Sequence, residues 1–408
     1  MKIHPLLAIN LFLLPLVFAL TACGETIFYI SPAGNDQWTG RLAKPNANRT
    51  DGPLATLEGA RDAVRQLKAN GTFTEPVQVQ VADGSYPMNQ PVVFTPEDSG
   101  TSACPIQYEA APNARPLFTG GREITGFQPA DNGIWTVHIP EAAAGSWYFE
   151  QLWVDGKRAT RARSPNRFYY YATEKLEAGM NPETGKQEEG LFNRALHGRR
   201  QDLEPLSQVP KDRLNDVTVV AYHSWETSRS RLALVDGAEN NLFMTAPIPW
   251  GFNYWGANQR YHIENFPQAL DEPGEWFLDR DGTLCYIPLP GQDMDKAHVF
   301  APVTTEDFIH IAGDPAAGKF VEYLSFQGLS FAHGQYLLPP GGHGDGQAEV
   351  TIPAAVMLDG ARNVTFEDCE IRHIGIYGMW FRRGCRNCSV TRTFFDDLTA
   401  WLVAGDHA

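Results

Sequence analysis

Three carboxylates lie close together in the last part of the sequence: Asp396, Asp397 and Asp406. Hydrolysis of a glycosidic bond needs two carboxyl groups that face each other across that bond. The three side chains are therefore candidates for a catalytic acid or base, or for a supporting position beside one. Aspartate is also common at turns, because its carboxylate bonds its own backbone. The turn interpretation stays open beside the catalytic one.

An internal repeat relates these carboxylates to residues earlier in the chain. Residues 363–374 align with residues 387–398 at an offset of 24, which places Phe366 on Val390. An offset of 40 in the other direction places Phe326 on Phe366. Short strands of period 2 that recur about every two dozen residues, with turns between them, predict stacked coils of a parallel β-helix.

The same alignment places polar side chains at equivalent positions of successive coils. His333, His373 and Asp397 share one position, and Arg372 shares another with Asp396. Such a column forms a ladder on one face, along which a sugar chain could lie. We therefore include His333, His373 and Arg372 among the candidate substrate-binding residues. The two histidines could equally be turn residues whose hydrogen bonds are satisfied.

The longer offset contains a Gly- and Pro-rich insertion around residues 337–350. Its segment Gly341–Gly346 is rich in glycine, but neither a helical pattern nor a lysine follows it, so phosphate binding is not expected. The composition predicts a flexible loop at the mouth of a groove.

The elements before the repeat predict a capped start for the stack. Thr26–Ile30 and Val77–Val81 are short apolar strands, and between them lies an amphipathic helix with Thr56 as its N-cap. Asn70-Gly71 ends the helix. A stack of parallel coils exposes strand edges at its end and needs such a cover.

From about Trp135 to Pro302 the sequence changes character, and we interpret this region as an inserted, mostly antiparallel β domain. It contains a dense aromatic run that includes Trp250, Tyr254 and Trp255, with Trp225 upstream. If these rings are exposed, they offer flat faces to pyranose rings. If they are buried, they form the core of the inserted domain, since large aromatics dominate both settings.

The N-terminus predicts export. Lys2 precedes an apolar run that is too short to span a bilayer comfortably, and Leu20-Thr21-Ala22-Cys23 resembles the bacterial lipobox. We expect Cys23 to be lipidated and the protein to be anchored in the outer membrane, on its periplasmic or cell-surface face. An ordinary secretory signal with a chance cysteine is the alternative.

The composition of the chain disfavours some partners and a metal site. The net charge of −15 disfavours nucleic acid and anionic lipid surfaces. Five cysteines follow Cys23, so at least one thiol is free in an exported protein. The Cys385–Cys388 pair has zinc-like spacing but lacks partner ligands, and Cys369 fits a buried strand position. We expect no metal, no cofactor and a monomer.

Several segments resemble the right-handed parallel β-helix glycosidases of glycoside hydrolase family 141. These are Tyr29–Asp36, the helix around Arg61–Ala63, Phe149–Asn166, Tyr261–Asn265 and Glu275–Tyr286. The resemblance implies fucosidase or xylanase activity. The resemblance also implies that the two catalytic carboxylates lie on coils that follow those present here. It therefore assigns neither carboxylate to a residue of this sequence.

Together these observations predict an all-β protein, a right-handed parallel β-helix (solenoid) with an N-terminal capping helix and an inserted antiparallel β domain. We divide it into a lipoprotein signal peptide (1–22), a cap with the first coils (23–134), the inserted domain (135–302) and further coils (303–408). The last coil is expected to be incomplete.

The function expected is that of a surface-anchored glycoside hydrolase acting on complex, plant-type glycans through two carboxylates. Two alternatives remain: a polysaccharide lyase on the same fold, and a noncatalytic glycan-binding or structural lipoprotein. A lyase would need a lysine or arginine base and usually Ca²⁺, and the acidic composition counts mildly against its charged substrate.

Overall fold

The computed structural model describes residues 24–182, 184–303, 307–347, 351–398 and 403–405. The predicted signal segment, the predicted lipidation site Cys23 and the candidate Asp406 lie outside these ranges. The described residues are mostly β, and they include three stretches of α-helix: Leu57–Ala69, Pro140–Ala143 and Arg200–Leu203. No helix among the described residues is long and apolar enough to cross a membrane.

Three parallel sheets form one part of the molecule. The first parallel sheet contains, in order, Thr26–Ile30, Val77–Val81, Ile106–Ala110, Leu324–Gln327, Thr365–Glu367 and Ser389–Thr391. The second contains Ser85–Pro87, Leu117–Thr119, Ser330–Gly334, Glu370–Ile374 and Phe394–Leu398. The third contains Val92–Phe94, Ile309–Ala312, Ala354–Asp359, Tyr377–Phe381 and Val403–Gly405. A further short parallel pair joins Val321–Glu322 to Ala361–Arg362.

After the first strands the chain visits these sheets in a fixed order, first, second and third, and we call each pass a circuit. The register agrees with the internal repeat. Phe326 pairs with Phe366 and Phe366 with Val390, which confirms both predicted offsets. Inward-facing rings stack from circuit to circuit, with centroids of Phe326 and Phe366 4.8 Å apart and those of Tyr108 and Phe326 5.4 Å apart. One continuous apolar core therefore runs through the parallel part.

The amphipathic helix covers the start of this core, as predicted. Thr56 accepts a hydrogen bond from the backbone N–H of Gly59, which satisfies one donor of the first turn. Leu57, Ala60 and Val64 are buried against the parallel strands. The helix ends at Ala69, immediately before the predicted Asn70-Gly71 stop.

Between Gly121 and Pro302 the strands are mostly antiparallel. A four-stranded sheet has the order Lys157–Arg158, Trp153–Val154, Val299–Pro302, Gly121–Ile124. A five-stranded sheet has the order Thr160–Arg161, Glu275–Leu278, Thr283–Tyr286, Trp135–His138, Gln128–Pro129. A seven-stranded sheet has the order Arg163–Ser164, Arg260–Glu264, Thr218–Tyr222, Thr227–Asp236, Asn241–Met244, Ala195–His197, with Tyr170–Tyr171 also paired to Arg260–Glu264. A hairpin joins Ala178–Asn181 to Lys186–Glu189.

The seven-stranded sheet has two chemically different faces, because side chains alternate along each strand. Val219, Ala221, Tyr261 and Ile263 point into an apolar core of the antiparallel region. Thr218, His262 and Glu264 lie on the opposite face, which is mostly polar or charged and includes the apolar Val220. That second face, which we call the polar face, helps to form the site described below.

Candidate functional site

The predicted column of polar residues lies on the second parallel sheet, and we call it the polar ladder: Thr119, His333, His373 and Asp397. His333, His373 and Asp397 occupy equivalent positions of successive circuits, each with positive φ (64°, 55° and 49°). Positive φ is uncommon for residues other than glycine, and Asn, Asp and His tolerate it best. His333, His373 and Asp397 therefore lie within strands, at backbone positions whose left-handed conformation is otherwise typical of turns.

Hydrogen bonds and ring contacts run along the polar ladder. Thr119 Oγ1 and His333 Nδ1 are 2.9 Å apart, and the rings of His333 and His373 stack with centroids 5.4 Å apart. Phe300 stacks on the other side of His333 at 4.7 Å. Both histidines are buried. Burial, assisted by the neighbouring His373, lowers the pKa of His333 to about 3, so this ring is neutral at physiological pH.

Asp397 ends the ladder and binds three donors. Its carboxylate accepts hydrogen bonds from Trp153 Nε1 at 2.7 Å and from Arg158 Nε at 2.7 Å. His373 Nδ1 lies 2.9 Å from the same carboxylate. Burial opposes the charge of Asp397, but the His373 hydrogen bond and the Arg158 charge outweigh it and hold its pKa below the usual range. Such a carboxylate stays ionised, which suits an anchoring role better than that of a proton-donating acid.

The other residues predicted on this sheet are placed differently. Asp396 is exposed on the strand Phe394–Leu398, and Arg372 pairs with it in register on the neighbouring strand. Arg372 Nε lies 3.3 Å from Glu370 Oε1. Asp396 and Asp397, although adjacent in sequence, therefore occupy unlike environments, one exposed and one held by donors.

The predicted aromatic residues form one cluster, which we call the aromatic patch: Trp225, Trp250, Tyr254 and Trp255. Trp225, Tyr254 and Trp255 expose 48, 44 and 63% of their surface. Their rings contact one another, with centroids of Trp225 and Trp250 4.9 Å apart and those of Tyr254 and Trp255 also 4.9 Å apart. Of the two settings left open by the sequence, the exposed one applies to these three rings.

A cavity of about 330 Å³ adjoins the aromatic patch. Tyr254 and Trp255 line it together with Tyr222, His223 and Arg260. Aromatic faces beside polar side chains match the two surfaces of a sugar ring, which carries apolar C–H faces and an equatorial rim of hydroxyls. The patch and this cavity can therefore bind a neutral sugar unit.

A second cavity, of about 230 Å³, lies where the polar face of the seven-stranded sheet meets the parallel part; we call it the interfacial cavity. Tyr222 lines both cavities. The residues that line the interfacial cavity are Glu150, Gln151, Arg161, Thr218, Val220, Tyr222, Thr227, Arg229, Tyr336, Leu338, His343, Ile352 and Gly375. Strand alternation places Thr218, Tyr222 and Arg229 on the face that points toward it.

A chain of hydrogen bonds leads from Tyr222 into the polar face. The Tyr222 hydroxyl lies 3.2 Å from His262 Nδ1, and His262 Nε2 lies 2.7 Å from Glu264 Oε1. Arg229 lies 3.7 Å from the other carboxylate oxygen of Glu264. Burial disfavours the charge of Glu264, but Arg229 and the His262 hydrogen bond outweigh it and hold the Glu264 pKa well below its usual range. Glu264 therefore orients His262, and His262 Nδ1 in turn lies within hydrogen-bond distance of the Tyr222 hydroxyl.

Glu150 links the two parts of the molecule. Its buried carboxylate lies 2.9 Å from Arg231 and 3.6 Å from Arg161, and it also accepts a hydrogen bond from the backbone N–H of Leu338 at 3.0 Å. Arg231 and Arg161 belong to the antiparallel region, whereas Leu338 lies in the Gly- and Pro-rich loop of the parallel part. The carboxylate therefore fixes the position of one wall of the interfacial cavity.

The Gly- and Pro-rich loop is fastened to the seven-stranded sheet. Arg229 and His343 exchange two backbone hydrogen bonds, of 2.8 and 2.7 Å. Thr245 Oγ1 donates to the Pro340 carbonyl at 2.7 Å, and Trp250 Nε1 donates to the Gly346 carbonyl at 3.0 Å. The loop thus borders both the aromatic patch and the interfacial cavity, and its place is set by hydrogen bonds, a feature that its composition does not reveal.

Sequence reasoning did not single out Glu150, Arg161, Tyr222, His262 or Glu264. One signal was available, because the first two lie within the segment Phe149–Asn166 and the last two within Tyr261–Asn265, which carry the family resemblance. The alternation of His262 and Glu264 with apolar neighbours was the other, since period-2 charge on a strand marks a polar face.

In the part of the chain that the structure describes, no cluster of three or more His, Cys, Asp or Glu side chains is arranged to hold a metal ion. Cys385 and Cys388 are free and partly buried, and burial raises the pKa of Cys385 to about 11. Their thiols donate to the carbonyls of Leu358 and Ala361 on the preceding circuit, so the pair packs within the parallel part.

The solved structures that are similar to this chain include the following two. The first is titled "Glycoside hydrolase"; it has a TM-score of 0.73 and 22% sequence identity, and the alignment covers 90% of this chain and 65% of that one. The second, "The complex structure of XylC with xylose", has a TM-score of 0.39 and 12% identity, covering 87% of this chain and 42% of that one. No protein-family description matches the sequence, and no curated protein matches it. The chain therefore shares the fold of a glycoside hydrolase and spans about two thirds of that protein's length.

Proposed function

We propose that this chain is a glycan-binding part of a glycoside hydrolase that acts on complex, plant-type glycans. The observation that carries the proposal is the aromatic patch, in which three exposed rings lie beside a cavity lined by polar side chains. Contiguous exposed apolar surface can mark a binding site. Saccharide is the ligand that uses both flat apolar faces and hydrogen bonds at once.

The fold supports the same proposal. Successive circuits through three parallel sheets are what a right-handed parallel β-helix requires, and we infer that this is the architecture. The similarity to a glycoside hydrolase structure at a TM-score of 0.73 agrees with it. The segments that resemble glycoside hydrolase family 141 favour that family among glycosidases, with fucosidase or xylanase activity as its implied chemistry.

The proposed reaction is hydrolysis by water between two carboxyl groups, without a cofactor. The pair must be about 5–5.5 Å apart for a retaining outcome or about 6.5–9.5 Å for an inverting one. Asp396, which is exposed, is available for such a role. Asp397 is held by three donors, which supports a positioning role, and its neighbours His333 and His373 then serve as buried supports of the same ladder.

We further propose that the protein acts outside the cytoplasm, tethered through lipid at Cys23 to the outer membrane. The lipobox-like segment supports this, and a polysaccharide or oligosaccharide is then the partner available at that surface. The unit is proposed to act as a monomer.

Incubation of the purified chain from Gly24 with neutral and acidic plant polysaccharides tests the proposal. Binding measured by calorimetry, and release of reducing sugar without an unsaturated product, are the results expected of a hydrolase. Release of an unsaturated product would replace hydrolysis by lyase chemistry. Binding without any release would favour a noncatalytic glycan-binding protein, and absence of binding to every glycan would overturn the proposal.

A further inference from the structure

A row of three side chains crosses one end of the seven-stranded sheet. Tyr171 pairs with Arg260, and Arg260 pairs with Tyr222 on its other side. Directly paired residues of neighbouring strands point to the same face of a sheet. The residues next to them, Tyr170 and Tyr261, contact each other in the apolar core, with ring centroids 5.6 Å apart. Because side chains alternate along a strand, the row lies on the polar face.

The row continues past the cavity that adjoins the aromatic patch. Arg260 and Tyr222 line that cavity. Tyr171 lies one strand beyond Arg260 and two strands from Tyr222, which is about 10 Å at the usual strand spacing. On the opposite side, Trp225 lies in the turn that follows Tyr222, and its ring contacts that of Trp250 at 4.9 Å. Aromatic side chains therefore flank the cavity on two sides.

The surface around Tyr171 has the same chemistry as the aromatic patch and its cavity. The Tyr169 ring packs edge-on against the Tyr222 ring at 4.9 Å. The Arg260 guanidinium lies 5.1 and 5.8 Å from the centroids of these two rings, which holds it by cation–π attraction. Tyr171 exposes 38% of its surface. An exposed ring thus lies beside a guanidinium whose N–H groups can donate to sugar hydroxyls.

The segment that carries Tyr169 and Tyr171 is fixed at its base. Asn166 Nδ2 donates to Asp271 Oδ1 at 2.6 Å, and Ser164 Oγ lies 2.6 Å from the Tyr170 hydroxyl. Phe168 is 86% exposed and has a φ of +62°, which is uncommon for a bulky side chain. Such a conformation persists only where the surrounding structure imposes it. A backbone that is held in this way loses less freedom when a ligand binds.

We propose that Tyr169, Tyr171 and Arg260 form a second sugar subsite, which we call the tyrosine subsite, and that one neutral glycan chain occupies it together with the aromatic patch. This inference rests on the proposed glycan binding and narrows its substrate class. The ligand is an oligosaccharide, or an internal stretch of a polysaccharide, that is several contiguous units long; a single terminal sugar does not reach both subsites. Between them the chain crosses the cavity, where polar side chains bind its hydroxyls.

Calorimetry with neutral oligosaccharides of increasing length tests the inference. The probes are oligomers of two, four and six units from xylan, galactan and β-glucan, each added to the purified chain from Gly24. Within the series that binds, we expect the six-unit oligomer to bind at least ten-fold more tightly than the two-unit oligomer, because only the longer one reaches both subsites. An affinity that is equal at all lengths would overturn the inference.

Variants connect the dependence on length to the tyrosine subsite. Tyr171→Ala should weaken binding of the six-unit oligomer about ten-fold, whereas the two-unit oligomer, which binds at the aromatic patch, should keep its affinity within about two-fold. Tyr171→Phe keeps the ring and should retain the affinity of wild type. Arg260→Gln removes the donors of an exposed side chain and should also weaken the six-unit oligomer. Phe394→Ala, an exposed aromatic on the second parallel sheet, is the control and should change neither affinity.

The outcomes separate this inference from the proposed function. If Tyr171→Ala and Arg260→Gln both bind the six-unit oligomer as wild type does, the tyrosine subsite is refuted, although glycan binding stands. If no oligomer of any series binds, both the proposed function and this inference fail. Sedimentation with phosphatidylethanolamine–phosphatidylglycerol vesicles gives a further check. Vesicle binding that is lost in Tyr171→Ala, with oligomer affinity unchanged, would assign these rings to a lipid surface and overturn the inference.

Discussion

Trp153 donates its indole N–H to the carboxylate of Asp397 at 2.7 Å. Trp153 belongs to the four-stranded antiparallel sheet, whereas Asp397 lies in the second parallel sheet, 244 residues later in the chain. Arg158, from the same antiparallel sheet, reaches the same carboxylate. The polar ladder is therefore part of the contact that joins the antiparallel region to the parallel sheets.

Replacing Asp397 tests that role. Asp397→Asn removes the charge that faces Arg158, and its amide cannot accept from three donors with the same strength. We expect the free energy of unfolding to fall by about 1–3 kcal/mol, measured by urea denaturation. Asp396→Asn, at the exposed neighbour, should stay within about 0.5 kcal/mol of wild type. Lost turnover with an unchanged free energy of unfolding would instead place Asp397 in the chemistry.

Stability should depend on pH through His333. Its pKa is about 3 in the folded protein against 6.5 as the ordinary value, so the unfolded chain binds the proton first as the pH falls. The contribution of neutral His333 to the free energy of unfolding is fully present above pH 6.5 and is lost as the pH drops toward 3. We expect it to fall by about 1.5 kcal/mol between pH 6.5 and 5.

The difference between wild type and a variant isolates this contribution. His333→Asn keeps a side chain that tolerates the positive φ and removes the titrating ring. Its unfolding free energy, measured by urea denaturation at pH 7.5, 6.5 and 5, should fall less steeply with acidification than that of wild type. Parallel curves for the two proteins would refute the assignment, even if the variant is less stable at every pH.

The aromatic patch should contribute to glycan affinity without contributing to folding. Trp255 is 63% exposed, so Trp255→Ala removes a stacking surface and little of the core. We expect at least a ten-fold rise in Kd for a neutral oligosaccharide, equivalent to about 1.4 kcal/mol, with an unchanged melting temperature. Phe394→Ala, an exposed aromatic on the second parallel sheet, serves as the control. An equal rise in Kd for the two variants would show that the aromatic patch contributes no more to binding than another exposed aromatic residue.

Gly342 should be sensitive to substitution. Its φ is +78°, and a Cβ there would lie 2.6 Å from the Arg229 carbonyl oxygen. Gly342→Ala should therefore loosen the Gly- and Pro-rich loop, lower stability by about 1 kcal/mol or more, and weaken glycan binding. Gly346→Ala is the matched control in the same loop, since no neighbouring atom lies within 4 Å of its added Cβ. Hydrogen exchange of the His343 amide gives a direct measure of the loop's attachment.

The parallel part could be predicted from sequence because its signal is local and repeated. Apolar residues alternate along each strand, and the offsets of 40 and 24 fix which strands pair, as Phe326, Phe366 and Val390 show. The helix after Thr56 was predictable for a similar reason, since its cap and its apolar face lie within a few residues of one another.

The interfacial cavity could not be predicted in this way. Glu150 and Arg231 are 81 residues apart, and Glu150 and Leu338 are 188 apart, so no local pattern reveals that they meet. The hydrogen bond between Trp153 and Asp397 also joins residues that are far apart in sequence, so no local pattern reveals it. The repeat shows that His333, His373 and Asp397 are equivalent positions. The burial of the two histidines, however, depends on ring contacts with Phe300 and Trp153, which belong to the antiparallel sheet and lie outside the repeat.

The two longest insertions into the repeat, the antiparallel region and the Gly- and Pro-rich loop, lie at the same corner of the stack of circuits. The antiparallel region follows Leu117–Thr119 and precedes Ile309–Ala312, and the Gly- and Pro-rich loop follows Ser330–Gly334 and precedes Ala354–Asp359. Each lies between the second and third parallel sheets, whereas the next circuit crosses this corner between Ile374 and Tyr377. The parallel strands keep their register across both insertions, so this corner accommodates segments of very different length. The aromatic patch belongs to the longer of these insertions, so its surface can be altered at this corner without changing the paired strands.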